Sequence, residues 1–319
     1  MSFLNVDFLD EKNLAVAVSG GADSLALAIL LSEWCQDKNI KLHALTVDHG
    51  LRAESASEAK YVAKNLKKFG VIHKTLLWDG VKPKTKIQEA AREARYHLMS
   101  TYCSTKKINF LFLGHHGQDQ IETILFRMAK GTGLDGLTGM HPVTILENEI
   151  SLARPLLLVS HKDLCDTLKA KNIDWIEDPS NENNKYARVR IRNVIDALEN
   201  EGLTPSRISS LSDRVIKSIQ LIDYLIDKEY NNMIININTK RIEINLNLFY
   251  PLPFDGKVRI LKHIITTLMP YKKYPARLED IERLVGRMDE NFRGSTLGGC
   301  QFKRKKDRLI IQQEDDGLS

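Results

Sequence analysis

At 319 residues, 43% of them hydrophobic and 27% charged, the chain is long enough to bury a full core, and its length favours two domains. A net charge of +5, from 46 basic and 41 acidic residues, permits a polyanionic partner without demanding one. The chain lacks an apolar run of the roughly 18 residues that a membrane span needs; Met1–Leu14 has no basic n-region of a secretory signal, and Cys35, Cys103, Cys165 and Cys300 form no CxxC pair, so reduced structural thiols in a cytoplasmic protein are expected rather than a cysteine-ligated cluster.

Strand and helix signals alternate over the first 115 residues. Leu14–Val18 is a short apolar run, the mark of a strand buried on both faces. Leu25–Cys35 reads as a helix, Lys41–Val47 as a strand, Glu54–Phe69 as a helix, Val71–Leu77 as a strand, Ile87–Cys103 as a helix and Asn109–Leu113 as a strand. This order predicts an α/β fold, a parallel sheet with helices on both faces, whose ligands sit beyond the carboxyl ends of the strands. A glycine-rich loop follows at Gly131–Gly139. Glu199–Pro205 reads as a domain boundary, so residues 1–200 form a catalytic domain and residues 201–319 a linker helix (about Ser206–Tyr230) with a smaller α+β domain. That domain is expected to hold a hairpin over Ile234–Phe249, two helices and a last hairpin over Leu297–Gln313.

The segments after the strands carry the chemistry. Ser19-Gly20-Gly21-Ala22-Asp23-Ser24 lets backbone amides approach a phosphate at a helix start, with two hydroxyls beside it. Asp23 is a poor phosphate partner by charge and suits magnesium better; the alternative is a plain Gly-Gly turn with Asp23 or Ser24 as helix cap. The loop is neither a Walker P-loop nor a GxGxxG turn. Asp119 and Glu122 stand three apart at a helix start and share a face, an anionic pocket for an ammonium or a magnesium ion, or else acids that complement the helix dipole. Asp48 and His49 line an adenine pocket or cap a turn. Arg92 and Arg95 reach a phosphate or the substrate, or remain solvated, and Arg188, Arg190 and Arg192 alternate with Val189 and Ile191 as one charged face for ATP phosphates or tRNA, with a surface strand or a helix start as the alternative. The adjacent His115 and His116 point apart and cannot form a spaced zinc pair.

The Ser19–Ser24 loop resembles the pyrophosphate-binding loop of the N-type ATP pyrophosphatases, which split ATP to AMP and pyrophosphate. Six further blocks are similar in order and spacing to the tRNA(Ile)-lysidine synthetases: Val47–Arg52, Gln88–Tyr96, Gly114–Thr123, Arg154–Leu157, Trp175–Asn181 and Arg188–Asn193. The resemblance covers roughly residues 12–200 and implies a Rossmann-like fold of the adenine nucleotide alpha hydrolase type. It implies ATP and Mg2+ as cofactors, and L-lysine and a CAU-anticodon tRNA(Ile) as partners, with no membrane. Asp119, Glu122 and Asp23 are then catalytic, Asp23 is the metal ligand, and Ser19, Gly20, Gly21, Ala22, Asp23, Ser24, Asp48, His49, Arg92 and Arg192 bind the nucleotide. One departure stands out: the family usually has two adjacent acids where this chain has Gln118-Asp119.

Residues 201–319 hold 20 Lys and Arg against 16 Asp and Glu, so most of the basic excess lies there. Lys303–Lys306, and Arg207, Arg214 and Lys217 on the linker helix, are candidates for a tRNA backbone, with a solvated face as the alternative. A tRNA cytidine thiolase would be expected to carry CxxC pairs, a small-molecule ligase needs no basic appendix, and a degraded nucleotide-binding module fits poorly with intact Asp119 and Glu122. Whether the protein is a monomer or a homodimer stays open.

Overall fold

The computed structural model describes residues 8, 10–50, 55–79, 82, 83, 85, 87–177, 187–270, 276–289 and 291–314. By backbone contacts the chain divides into two compact units, residues 1–216 and 217–319.

In the first unit, β1 (Asn13–Ala17), β2 (Lys41–Asp48), β3 (Ile72–Leu77), β4 (Phe110–Phe112), β5 (Val143–Ile145) and β6 (Ser151–Ala153) make one sheet in the order β3-β2-β1-β4-β6-β5. All neighbours pair in parallel except the edge strand β5, which runs antiparallel to β6. The expected parallel sheet is therefore mixed at one edge, where the strands are only three residues long and leave no periodicity to read. Leu14, Ala15 and Val16 are fully buried, as the apolar run required.

α1 (Ala22–Lys38), α2 (Ser55–Lys67) and α6 (His161–Ala170) cover one face of the sheet, through Leu25, Ile29, Val62, Leu66, Leu164 and Leu168 among others. α3 (Ile87–Thr105) covers the other with Met99 and Cys103. α4 (Gly117–Met128) and α7 (Ala187–Asn200) pack through Ile121, Ile124 and Ile195, with the short α5 (Leu134–Leu137) beside them. The chain order reverses between β1 and β4, so the loops after these two strands flank the switch point, the place where open α/β sheets bind ligands.

α8 (Pro205–Met233) runs from the first unit into the second. The second unit is an antiparallel sheet in the order β7-β8-β11-β10-β9, from β7 (Ile234–Asn238), β8 (Arg241–Asn245), β9 (Gly294–Leu297), β10 (Cys300–Lys305) and β11 (Arg308–Gln313), with α9 (Leu246–Phe249), α10 (Phe254–Leu268) and α11 (Leu278–Gly286). Its own core includes Ile242, Ile244, Val258, Ile260 and Phe302. Two expectations are corrected here. The first hairpin ends at Asn245, whose side chain accepts the Asn247 N–H and starts α9, so Leu246–Phe249 is helical. The last hairpin is present as β10–β11 but is part of a three-stranded meander, because Gly298 and Gly299 both take positive φ and turn β9 into β10.

No helix among the described residues is long and apolar enough to cross a membrane. The four cysteines form no disulfide, and burial pushes the Cys35 thiol up to about 11 and Cys103 to about 12, which makes both inert at neutral pH.

Candidate active site

The loop after β1 is built for close approach. Gly20 sits at φ +94, a conformation L side chains avoid, and a Cβ there would come within 2.8 Å of Ile176 Cδ1. The Ile176 N–H donates to Gly20 O at 3.0 Å, which seats the Trp175–Glu177 block on the loop; residues 178–181 of that block lie outside the described residues. The two hydroxyls tie the turn. The Ser19 N–H donates to Ser24 Oγ at 3.2 Å, and Ser24 Oγ donates to Gly21 O at 3.1 Å. Gly21 is the helix N-cap and makes no side-chain capping bond, so Asp23 and Ser24 are not caps. Across the switch point, Gly114 lets the end of β4 pass against this turn: a Cβ there would lie 2.9 Å from both Cα and N of Ser24.

Asp23, freed from capping, points at α6 and α4. His161 Nδ1 lies 2.7 Å from Asp23 Oδ1, and His116 Nε2 is 3.6 Å from Asp23 Oδ2 and 3.6 Å from Asp119 Oδ2. The hydrogen bond to Asp23 raises the His161 pKa against the opposing effect of burial. His116 caps α4, and Asp119 completes the box by accepting the His116 N–H at 2.9 Å. Glu122, 5% exposed, lies one turn on and accepts from Arg192 Nε at 2.5 Å, while Arg192 Nη2 is 3.8 Å from Asp119 Oδ1. Burial lifts the Glu122 pKa, although Arg192 pulls the other way. For Arg192, burial works against the charge, but Glu122, Asp119 and Asp23 hold it as a cation even more firmly than usual.

The structure thus brings together Ser19, Gly20, Gly21, Ala22, Asp23, Ser24, Asp119, Glu122 and Arg192 around one switch point. Arg190 and Arg192 do not share one face: the segment is helical, the alternative reading of the alternation, and residues two apart on a helix diverge. Asp48 accepts the Gly50 N–H at 2.8 Å, which is its turn-capping role. His49 accepts from Arg95 at 3.3 Å, so Arg95 is directed at His49, and Arg92 stacks on Tyr96 at 5.1 Å. Burial and the neighbouring Arg95 lower the His49 pKa.

Arg154, 7% exposed, donates to His141 O and Thr144 Oγ1, and its Nε is buried without a partner. Burial pushes His115 down to about 4, with Arg154 and Arg92 adding to the effect. His115 and His116 do diverge: only His116 turns toward Asp23.

Among the contributing residues, His161, Gln120 and Arg127 were not singled out by the sequence, and Gln118 was singled out only as a departure from the family. His161 opens α6 behind Ser160, whose hydroxyl accepts the Asp163 N–H; Ser-x-x-Asp marked the helix start but not its aim at Asp23. Gln118 is a tie: Nε2 donates to Glu199 Oε1 at 3.0 Å and Oε1 accepts the His161 N–H at 3.0 Å, so one side chain joins α4, α6 and α7. Gln120 holds Met140 through both backbone groups, and Arg127 donates to Gly136 O and Gly139 O, which anchors the glycine-rich loop on α4.

Residues 2–198 match the family model of the PP-loop domain. The chain is 34% identical to the tRNA(Ile)-lysidine synthase of Wolbachia pipientis wMel over 312 residues, 96% of this chain and 72% of that protein. It is 35% identical to the synthase of Ruegeria pomeroyi over 303 residues, 95% of this chain and 71% of that one. Among solved structures, the U34-tRNA thiolase NcsA of Methanococcus maripaludis shares the fold, with a TM-score of 0.57 at 18% identity, covering 68% of this chain and 76% of that one.

Proposed function

The chain belongs to the tRNA(Ile)-lysidine synthase family of PP-loop, ATP-using enzymes, and from that premise we propose that it joins L-lysine to C2 of the wobble cytidine in a CAU-anticodon tRNA(Ile), in the cytoplasm. The reaction runs through an adenylated cytidine and releases AMP and pyrophosphate. One observation carries this reading: the phosphate-accepting loop Ser19–Ser24 and the acids Asp119 and Glu122 meet across a single switch point, with Arg192 paired to both acids.

The amides of the Gly20–Ser24 turn receive the β- and γ-phosphates at the α1 N-terminus. Asp23 offers the hard carboxylate oxygen that magnesium takes alongside substrate phosphates, and that charge offsets the triphosphate. The cytidine C2 oxygen attacks the α-phosphate, and adenylation turns it into a leaving group. The lysine ε-amine then attacks C2 and AMP departs. Of the two acids, Asp119 is the more open, with a side chain 22% exposed against 7% for Glu122. Asp119 therefore meets the ammonium and takes its proton. Glu122 fixes Arg192 at Nε and leaves the outer edge of the guanidinium for phosphate. In the second unit, the exposed Lys303, Lys305, Lys306 and Arg308 at the β10–β11 turn suit a tRNA backbone. Arg207 is occupied within the chain, donating to Gly202 O.

The test incubates the purified protein with ATP, magnesium, radiolabelled lysine and a CAU-anticodon tRNA(Ile) transcript, beside a transcript with a changed wobble base. Label in acid-precipitable tRNA that requires ATP and the wobble cytidine, and that is lost in Asp119→Asn, supports the reading. Pyrophosphate release without label keeps the adenylating loop and rejects the lysine substrate.

A further inference from the structure

Three donor atoms face one another between the N-termini of α1, α4 and α6. One atom from each of Asp23, His116 and His161 lies within 4.8 Å of the other two. Two ligands at right angles around an ion held at about 2.1 Å stand about 3 Å apart. His161 Nδ1 and Asp23 Oδ1 stand 2.7 Å apart, a hydrogen bond that needs to lengthen by only a few tenths of an ångström to reach that spacing. His116 is 6% exposed, yet its Nε2 stands 3.6 Å from the nearest oxygens of Asp23 and Asp119, beyond hydrogen-bond reach. A cation between them closes that gap.

The donor chemistry selects the ion. Magnesium prefers an all-oxygen shell, whereas two imidazoles with one carboxylate suit zinc, cobalt, iron and nickel. We infer that Asp23, His116 and His161 form a three-ligand site for a first-row transition-metal dication in the nucleotide-free protein, with its other positions open to water or to phosphate oxygens.

The surroundings are matched to this role. A metal on His116 Nε2 requires the ring proton on Nδ1. Nδ1 lies 3.1 Å from Gln118 Oε1, which accepts that proton; in the other tautomer the same Nδ1 accepts the Gln118 N–H at 3.2 Å. Gln118 therefore serves both tautomers. His161 Nε2 then carries its proton toward Cys165 Sγ at 3.4 Å. Three helix N-termini oppose a cation, and Asp23, Asp119 and Glu122 offset them. The inference concerns metal binding alone and does not rest on lysine or tRNA as substrates.

The test is titration of Co2+ into the chelator-stripped, nucleotide-free full chain, followed by calorimetry and visible absorption. One equivalent should bind with d–d bands of a nitrogen–oxygen shell and should be displaced by Zn2+ but not by excess Mg2+. His116→Ala and His161→Ala should each weaken binding at least about tenfold. His161 is about half exposed, so its variant should keep the wild-type circular dichroism. Cys165→Ser should leave affinity and spectrum unchanged. The site is rejected by an absence of stoichiometric binding, by wild-type affinity in a folded His161→Ala, or by displacement with Mg2+. A thiolate-to-cobalt band that disappears in Cys165→Ser would reject this ligand set.

Discussion

Removing either partner of the Glu122–Arg192 pair should have unequal consequences, and the inequality should depend on pH. Glu122 has a side chain 7% exposed; Arg192 is 46% exposed and also faces Asp119 at 3.8 Å. Arg192→Met leaves a carboxylate buried without its cation. The cost is capped by protonation: keeping the acid neutral at about pH 7, against an ordinary unfolded pKa of 4.5, takes roughly 3 kcal/mol. Glu122→Gln leaves a cation that water and Asp119 still solvate, so its cost should be about 1 kcal/mol. Burial already raises the Glu122 pKa in the wild type, so the folded state binds more protons than the unfolded state above 4.5, and stability from this group falls as pH rises through that window. Losing Arg192 widens the window. The Arg192→Met deficit should therefore shrink by up to about 1.4 kcal/mol per pH unit on acidification and vanish near the unfolded pKa. Urea denaturation of wild type, both single variants and the double variant from about pH 5 to 7 measures this. At neutral pH, Arg192→Met should also lower the melting midpoint by roughly 6–12 °C. Equal costs for the two variants, or a deficit that does not change with pH, would refute the asymmetry.

Two other contacts give sharp outcomes. Gly114→Ala places a Cβ 2.9 Å from the Ser24 backbone, which cannot swing away as a side chain can. It should cost about 1–3 kcal/mol and displace the start of α1, seen as at least a tenfold loss of affinity for a fluorescent ATP analogue; unchanged affinity would show that the turn is not fixed by that contact. Gln118→Ala removes the tie among α4, α6 and α7 and should lower the melting midpoint by about 2–8 °C, with Gln118→Glu worse because a second carboxylate would face Glu199; a wild-type midpoint in both would remove the tie.

The fold of the first unit was legible because its central strands are short apolar runs between amphipathic helices, and Leu14–Val16 and Phe110–Phe112 cannot be satisfied except inside a sheet. The tight turn after β1 was legible because two glycines stand between an apolar strand and a helix, and Gly20 takes the positive φ that such a turn needs. What escaped depends on distance along the chain. Nothing near His161 signals that it will meet Asp23, 138 residues earlier, or that Gln118 will reach Glu199, 81 residues later. The arginines at 188, 190 and 192 alternated as in a strand, but the segment is the helix α7, and that period decides which one faces the acids. Asn245 interrupted a run that otherwise alternated like a hairpin, since its side chain caps a helix more readily than it pairs in a ladder.

The charge pattern explains a feature the sequence made conspicuous: the phosphate loop contains no lysine or arginine. Backbone amides at the start of α1 supply its positive potential, and those amides cannot be titrated or displaced. The side chains nearest the loop add acids instead: Asp23, with Asp119 and Glu122 across the switch point and Arg192 between them. A site that had only to hold a triphosphate would be weakened by those acids. One that must also accept a dication and an ammonium needs them, because each incoming cation gains a carboxylate partner while the phosphates keep their amides. The acids and the lysine-free loop are thus two halves of one arrangement, in which the proposed nucleotide, metal and amine would each find a partner.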